Sequence, residues 1–224
     1  SNPNPKISLD PDATGGAGGL DFYCETPYPV VGECKATKTE KVPDGTPAQL
    51  VKLGKKHLQN HYDTCIKIIL AAGELTPDAE QTAKGNEMNV IRPETLQRLV
   101  ELKAQYPGSI DLLKLKPCLE NQPFGIDADR KVNDYIDRIE SDLKLRSHLV
   151  QAVHTTLERT KLDRANIDSI HAGYAMSQPS RSLKLEEMHE LLIELSSPLT
   201  GYLGREKGKD WKSDRFYFIR DLTV

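Results

Sequence analysis

The chain has 224 residues, 38% hydrophobic and 28% charged, so it can bury a core without staples and allows one large domain or two small ones. A formal charge of -3 gives a nucleic-acid partner no general attraction, so any such binding needs a local basic patch. The four cysteines form no Cys-x-x-Cys pair, which argues against a zinc knuckle or a disulfide framework and suits a reducing cytoplasm. The longest apolar run, Ile68 to Ala72, is too short to span a bilayer. No signal peptide is visible, and a start at Ser-Asn-Pro without Met fits a piece of a longer protein.

Residues Ser1 to Gly19 are rich in Pro, Gly, Asn and Asp and read as a loop ending in a glycine-rich segment. Strands are expected at Leu20 to Cys24 and Val30 to Ala36, joined by a turn at Pro27-Tyr28-Pro29. A helix follows, with Thr46 as its cap and Pro47 in its first turn, running to about Asn60. Thr64 to Ala72 reads as a strand buried on both faces. A short helix from Thr76-Pro77 to Lys84, a strand at Met88 to Ile91 and a Leu-rich helix from Pro93 complete an α/β domain with a mixed sheet. Composition changes near Pro117 to Pro123, which places a domain boundary between residues 118 and 119. Beyond it, one helix carries Val132, Tyr135, Ile136, Ile139 and Leu143, and a second carries Leu149, Val150, Val153 and Leu157. Asp163 caps a short third, and Leu185 to Leu195 forms a fourth. The tail from Gly201 has a basic loop between glycines and a strand at Phe216 to Ile219. Helices followed by a basic hairpin resemble a winged-helix module.

The chemistry concentrates on the first hairpin. Residues two apart in a strand share a face, so Glu33 and Lys35 point the same way and Cys34 points into the opposite layer. With the turn centred near Tyr28, Asp21 lies opposite Lys35 and diagonal to Glu33, and the three converge; a slip of one residue would put Asp21 on the other face. Two carboxylates suit Mg²⁺ or Mn²⁺, which acidifies water and offsets charge on a phosphate, while a neighbouring Lys holds the water or stabilises the oxyanion. The bland alternative is a solvated polar face.

This arrangement resembles the PD-(D/E)xK nuclease superfamily, with its restriction-endonuclease-like fold. Asp21 matches the metal-binding Asp, Glu33 the second acidic ligand and Lys35 the motif lysine. The continuation "IKIILAAGELTPDAEQTAKGNEMNVIRPETLQRLVEL" resembles the Mrr-like branch, and the resemblance covers roughly Gly15 to Lys103. It implies that the domain over 1-118 is a nuclease and that the chain is a metal-dependent DNA endonuclease, working as a homodimer because cutting both strands favours paired sites; the helical domain over 119-224, read from its apolar stripes, lies outside the resemblance and would be accessory. Gln49 lies where the superfamily often places a polar residue facing the site, where it would bind nucleic acid, unless it is an ordinary residue at the core edge. Lys38, Lys52 and Lys56, with Lys41 and Lys55, follow the hairpin and would contact phosphates, unless they form an ordinary solvated face. Two departures stand out. A short loop rather than an acidic helix precedes Asp21, and Leu20 occupies the position often held by Pro. Both leave room for an inactive relative that only binds nucleic acid. His57 and His61 lack a third ligand nearby and read as surface residues; His154, His171 and His189 read as structural or exposed. Arg205, Lys207, Lys209 and Lys212 around Trp211 either grip a nucleic-acid backbone or close a helical core.

Overall fold

The computed structural model describes residues 19–224, so the N-terminal loop expectation lies outside the described residues except at Gly19. The chain divides into two compact units, the first ending at Asp137 and the second running from Arg138 to Val224. This moves the expected boundary from 118/119. Residues 119 to 137 belong with the first unit because Gly125 continues its sheet: its N–H donates to Met88 O at 2.8 Å, and its carbonyl accepts from Val90 N at 3.0 Å. Asp129 also accepts from the Arg92 N–H at 2.8 Å. The Pro-rich change in composition therefore marks a turn inside the unit.

The first unit is built on a mixed four-stranded sheet in the order β1-β2-β3-β4, from β1 (Phe22–Cys24), β2 (Val30–Lys35), β3 (Ile66–Ala71) and β4 (Met88–Ile91). β1 runs antiparallel to β2, while β2, β3 and β4 are parallel. Parallel neighbours need crossovers. α1 (Gly45–Leu58) and a 3-10 segment (Gln59–Thr64) connect β2 to β3, and α2 (Pro77–Gly85) connects β3 to β4. Thr76 caps α2 as its sequence suggests, its hydroxyl accepting from Ala79 N. α1 starts earlier than expected: Asp44 stands at its cap, and Thr46 and Pro47 are buried in its first turn. Val31, Ile69, Met88 and Val90 of the sheet join Leu50, Leu53 and Leu58 of α1 and Ala83 of α2 in one core. α3 (Pro93–Gln105) and α4 (Leu112–Glu120) follow.

The expected pair of helices after the boundary is a single helix, α5 (Asp127–Thr160), within which the division between the units falls. No Gly or Pro interrupts it, so nothing in the chain forces a break. The second unit continues with β5 (Ala165–Asn166), α6 (Ile167–Met176), α7 (Leu185–Leu195), β6 (Leu203–Glu206) and β7 (Arg215–Phe218). Asn166, not Asp163, caps α6, accepting from Ser169 N at 3.1 Å. Its sheet is antiparallel in the order β5-β7-β6. Leu149, Val153, Ile170, Tyr174, Met188, Leu192 and Phe216 are among its fully buried residues. Among the described residues no helix is long and apolar enough to cross a membrane.

Gly32 fixes how closely β1 and β3 approach β2. A Cβ there would lie 2.1 Å from the Phe22 ring and 2.4 Å from the backbone oxygen of Ile68. The second clash is with backbone and cannot be relieved by a rotamer change. Gly32→Ala should cost about 1–3 kcal/mol by overpacking, seen as a lower urea midpoint with an unchanged slope. A midpoint equal to wild type would contradict the close packing.

Candidate active site

β2 carries the acidic and basic residues to one end of the sheet. Its register with β1 pairs Phe22 with Gly32 and Tyr23 with Val31. Continued by one residue, that register sets Asp21 across from Glu33 rather than from Lys35. The turn therefore centres on Pro27, not Tyr28. Tyr28 is only 7% exposed, so its ring belongs to the interior and cannot form the solvent-facing apex. The correction amounts to two residues, an even shift, so Asp21, Glu33 and Lys35 still share a face.

Asp21 lies in the bend before β1, and its Oδ2 accepts the backbone N–H of Cys34 at 2.7 Å. Glu33 is 7% exposed, whereas Asp21 and Lys35 are exposed. Gln49, in the first part of α1, donates from Nε2 to Glu33 Oε1 at 2.9 Å. The other carboxylate oxygen, Oε2, is buried with no hydrogen-bond partner among the described residues. Cys34, expected to point into an inner layer, is exposed because it sits at the open end of β2.

The electrostatics of Glu33 report the same convergence. Burial is the main cause that lifts its carboxyl from 4.5 to about 7; Asp21 adds to the rise and Lys35 opposes it. Both exposed partners thus act on the buried carboxylate, with opposite signs. One unsatisfied oxygen on Glu33 and the exposed carboxylate of Asp21 form a hard-oxygen donor set that fits Mg²⁺ or Mn²⁺. The described residues contain no group of three or more His, Cys, Asp or Glu that could hold a metal. A cation at this pair would therefore take its remaining ligands from water, backbone or substrate.

The expected phosphate contacts separate into two kinds. Lys38 is salt-bridged to Glu94 of α3 at 3.2 Å. Lys52 and Lys56 are exposed on α1, three and seven residues beyond Gln49, and so continue the same helical stripe away from Glu33. Among the described residues neither has an ion pair. The carbonyl of His61 accepts from Thr64 Oγ1 at 2.9 Å and lies 3.1 Å from Cys65 Sγ. In the second unit, His154 stacks on Phe218, His171 bonds the Leu183 carbonyl, and His189 is bonded to Asp214. Arg205, expected in the basic loop, lies in β6 and is also held by Asp214. Sequence reasoning passed over Asp214. The anchor pairs residues 25 apart in the chain, and no local pattern signals it.

Compared with protein-family models, with curated proteins and with solved structures, the chain matches none. The functional reading accordingly rests on the residues themselves.

The raised Glu33 makes a stability prediction. Between about pH 4.5 and pH 7 the folded chain retains a proton there that the unfolded chain has lost. The stability at this position is full below pH 4.5 and falls as pH rises through 7. The total is on the order of 3 kcal/mol. In a chelating buffer, Glu33→Gln should remove this slope and leave the protein more stable than wild type at pH 8. Urea midpoints at pH 4.5 and pH 8 measure it, and the same pH slope in both proteins would contradict the assignment.

Proposed function

We propose that this chain is a Mg²⁺- or Mn²⁺-dependent DNA endonuclease that hydrolyses phosphodiester bonds, with the restriction-endonuclease-like fold its motif suggests. One observation carries the reading: a buried glutamate with an unsatisfied oxygen lies beside a second carboxylate, with a lysine on the same strand face. The β1-β2-β3-β4 order, with an antiparallel first pair and parallel remainder, supports the fold. In the second unit, the order helix, strand, helix, helix, hairpin supports a winged-helix-like accessory module.

Asp21 and Glu33 would hold the metal, which when bound acidifies water and offsets charge on the phosphate. Gln49 fixes the Glu33 carboxylate by occupying Oε1, which leaves Oε2 as the free donor. Asp21 is oriented by the Cys34 N–H, so both carboxylates are set before substrate arrives. Lys35, exposed on the same face, holds the attacking water and meets the negative charge that develops on the phosphate. Lys52 and Lys56 take ground-state phosphates along α1. The active form is proposed as a homodimer, with one site for each strand of a duplex.

The division of labour gives a test. Lys35 acts on charge that appears only in the transition state, so Lys35→Ala should slow cleavage by about 100-fold or more with DNA affinity within about twofold. Lys52→Ala with Lys56→Ala should weaken binding instead and lower the salt slope by roughly one for each lysine. Nicking of supercoiled plasmid, run beside duplex binding, separates the two classes. No cleavage by wild type with either metal would leave a catalytically inactive nucleic-acid-binding or regulatory protein on the same fold, and no binding would remove that as well.

A further inference from the structure

The second unit separates its charges sharply between α7 and the β6–β7 loop. α7, of sequence LEEMHELLIEL, contains four glutamates and no Lys or Arg. Glu187 pairs with Arg181 and Glu194 with Arg146, while Glu186 and Glu190 are exposed without an ion pair among the described residues, so the helix adds negative charge to this surface. An α-helix placed against DNA needs cations for phosphates and donors for most base edges, and α7 offers neither on its exposed side.

The loop between β6 and β7 is the reverse. Lys207, Lys209 and Lys212 of the loop and Arg215 at the start of β7 are exposed, and among the described residues none of them has an ion pair. The acids around them are already engaged. Glu206 pairs with Arg164. Asp210 accepts from the backbone N–H of Ser213 at 2.9 Å in a reciprocal capping box that closes the short 3-10 turn Trp211–Ser213. Asp214, 1% exposed, receives four hydrogen bonds: from His189 Nε2 at 2.8 Å, Arg205 Nε at 2.9 Å, Arg205 Nη2 at 2.6 Å and Gly208 N at 2.8 Å. A carboxylate only accepts, so His189 Nε2 carries the proton. Burial alone would raise the Asp214 carboxyl, but the bonds from His189, Gly208 and Arg205 hold it below the usual range.

The loop is also held rigidly. Asp214 ties both of its arms to α7 through His189. Gly208 lies so close to Ser213 that a Cβ would meet its Oγ at 2.4 Å and its carbonyl carbon at 2.5 Å. Trp211 is half-buried, 5.3 Å from the His189 ring, with the Lys212 ammonium 5.4 Å from its centroid. The cations are therefore displayed on a fixed turn, and little order is lost when they meet a polyanion.

We infer that the second unit grips the nucleic-acid phosphate backbone through this loop, by Lys207, Lys209, Lys212 and Arg215, with α7 turned away from the polymer. This rests on the nucleic-acid reading above and adds a binding surface and a mode to it. Contacts confined to phosphates position a duplex without reading its sequence. The second unit therefore supplies affinity that is indifferent to sequence and steeply dependent on salt.

Trp211 is the only tryptophan in the chain and sits in the loop itself. Titrating the full chain with a blunt duplex of mixed sequence should change its fluorescence. The variant Lys207→Ala/Lys209→Ala/Lys212→Ala should bind about tenfold or more weakly near 0.1 M salt, and its salt slope should fall by about 2.7, or 0.9 for each phosphate that is no longer neutralised. Its melting curve should stay within a few degrees of wild type, because these side chains are exposed and make no ion pair among the described residues, and the Lys212–Trp211 contact at this exposed site is worth only about 0.5–1 kcal/mol. Glu186→Gln/Glu190→Gln should alter affinity by less than about threefold, the long-range effect of screened charges. Wild-type affinity and slope in the lysine variant, alongside weakened binding by Lys52→Ala/Lys56→Ala, would overturn the inference and leave the nuclease reading standing. A tenfold gain in the glutamate variant would overturn it too, by placing α7 on the polymer. Absence of binding by wild type would remove both readings.

Discussion

Holding a carboxylate inside a protein beside a second carboxylate is unfavourable unless a cation joins them, and the first unit is arranged around that conflict at Glu33. Strand alternation buries Glu33 on the face that packs against α1, while Lys35 emerges at the open end of β2. The conflict is only partly relieved. Gln49 satisfies one oxygen, and the other stays bare. Gly32, immediately before Glu33, lets β2 sit tightly between the Phe22 ring and β3. The packing of β2 between β1 and β3 thus holds Glu33 buried beside Asp21, with one of its carboxylate oxygens unpartnered.

The second unit resolves its buried charge in the opposite way. Asp214 is more deeply buried than Glu33, yet both of its oxygens are satisfied and a guanidinium and an imidazole face it. Glu33 is lifted toward neutrality and Asp214 is held ionised. The contrast separates roles. The fully satisfied carboxylate joins the β6–β7 loop to α7, whereas Glu33 keeps a bare oxygen beside a like-charged neighbour.

Much of the first unit was legible because its signals are local. The Thr76-Pro77 start of α2, the strand at Met88–Ile91 and the helix opening at Pro93 depend on caps, proline geometry and short apolar runs. The shared face of Glu33 and Lys35 follows from strand periodicity alone. What escaped depends on distant partners. The β1–β2 register was misplaced by two residues because burial of Tyr28, a tertiary event, decides where the hairpin turns. The apolar stripe from Val132 to Leu157 was divided into two helices although no residue breaks it. Pro117 to Pro123 resembles a linker, yet Gly125, just beyond, returns to pair with β4, a contact that no local pattern signals. The Gln49–Glu33 bond joins residues 16 apart on a helix and a strand, which share no local pattern.

The most direct test of the central claim is calorimetric titration of the folded chain with Mn²⁺ at neutral pH, beside Asp21→Ala and Glu33→Gln. It needs no substrate and assumes no cleavage. The account predicts saturable binding by wild type that either substitution abolishes or weakens by at least about tenfold, since each removes one of the two carboxylates of the donor set. Equal affinity in all three proteins, or no binding by wild type, would contradict it.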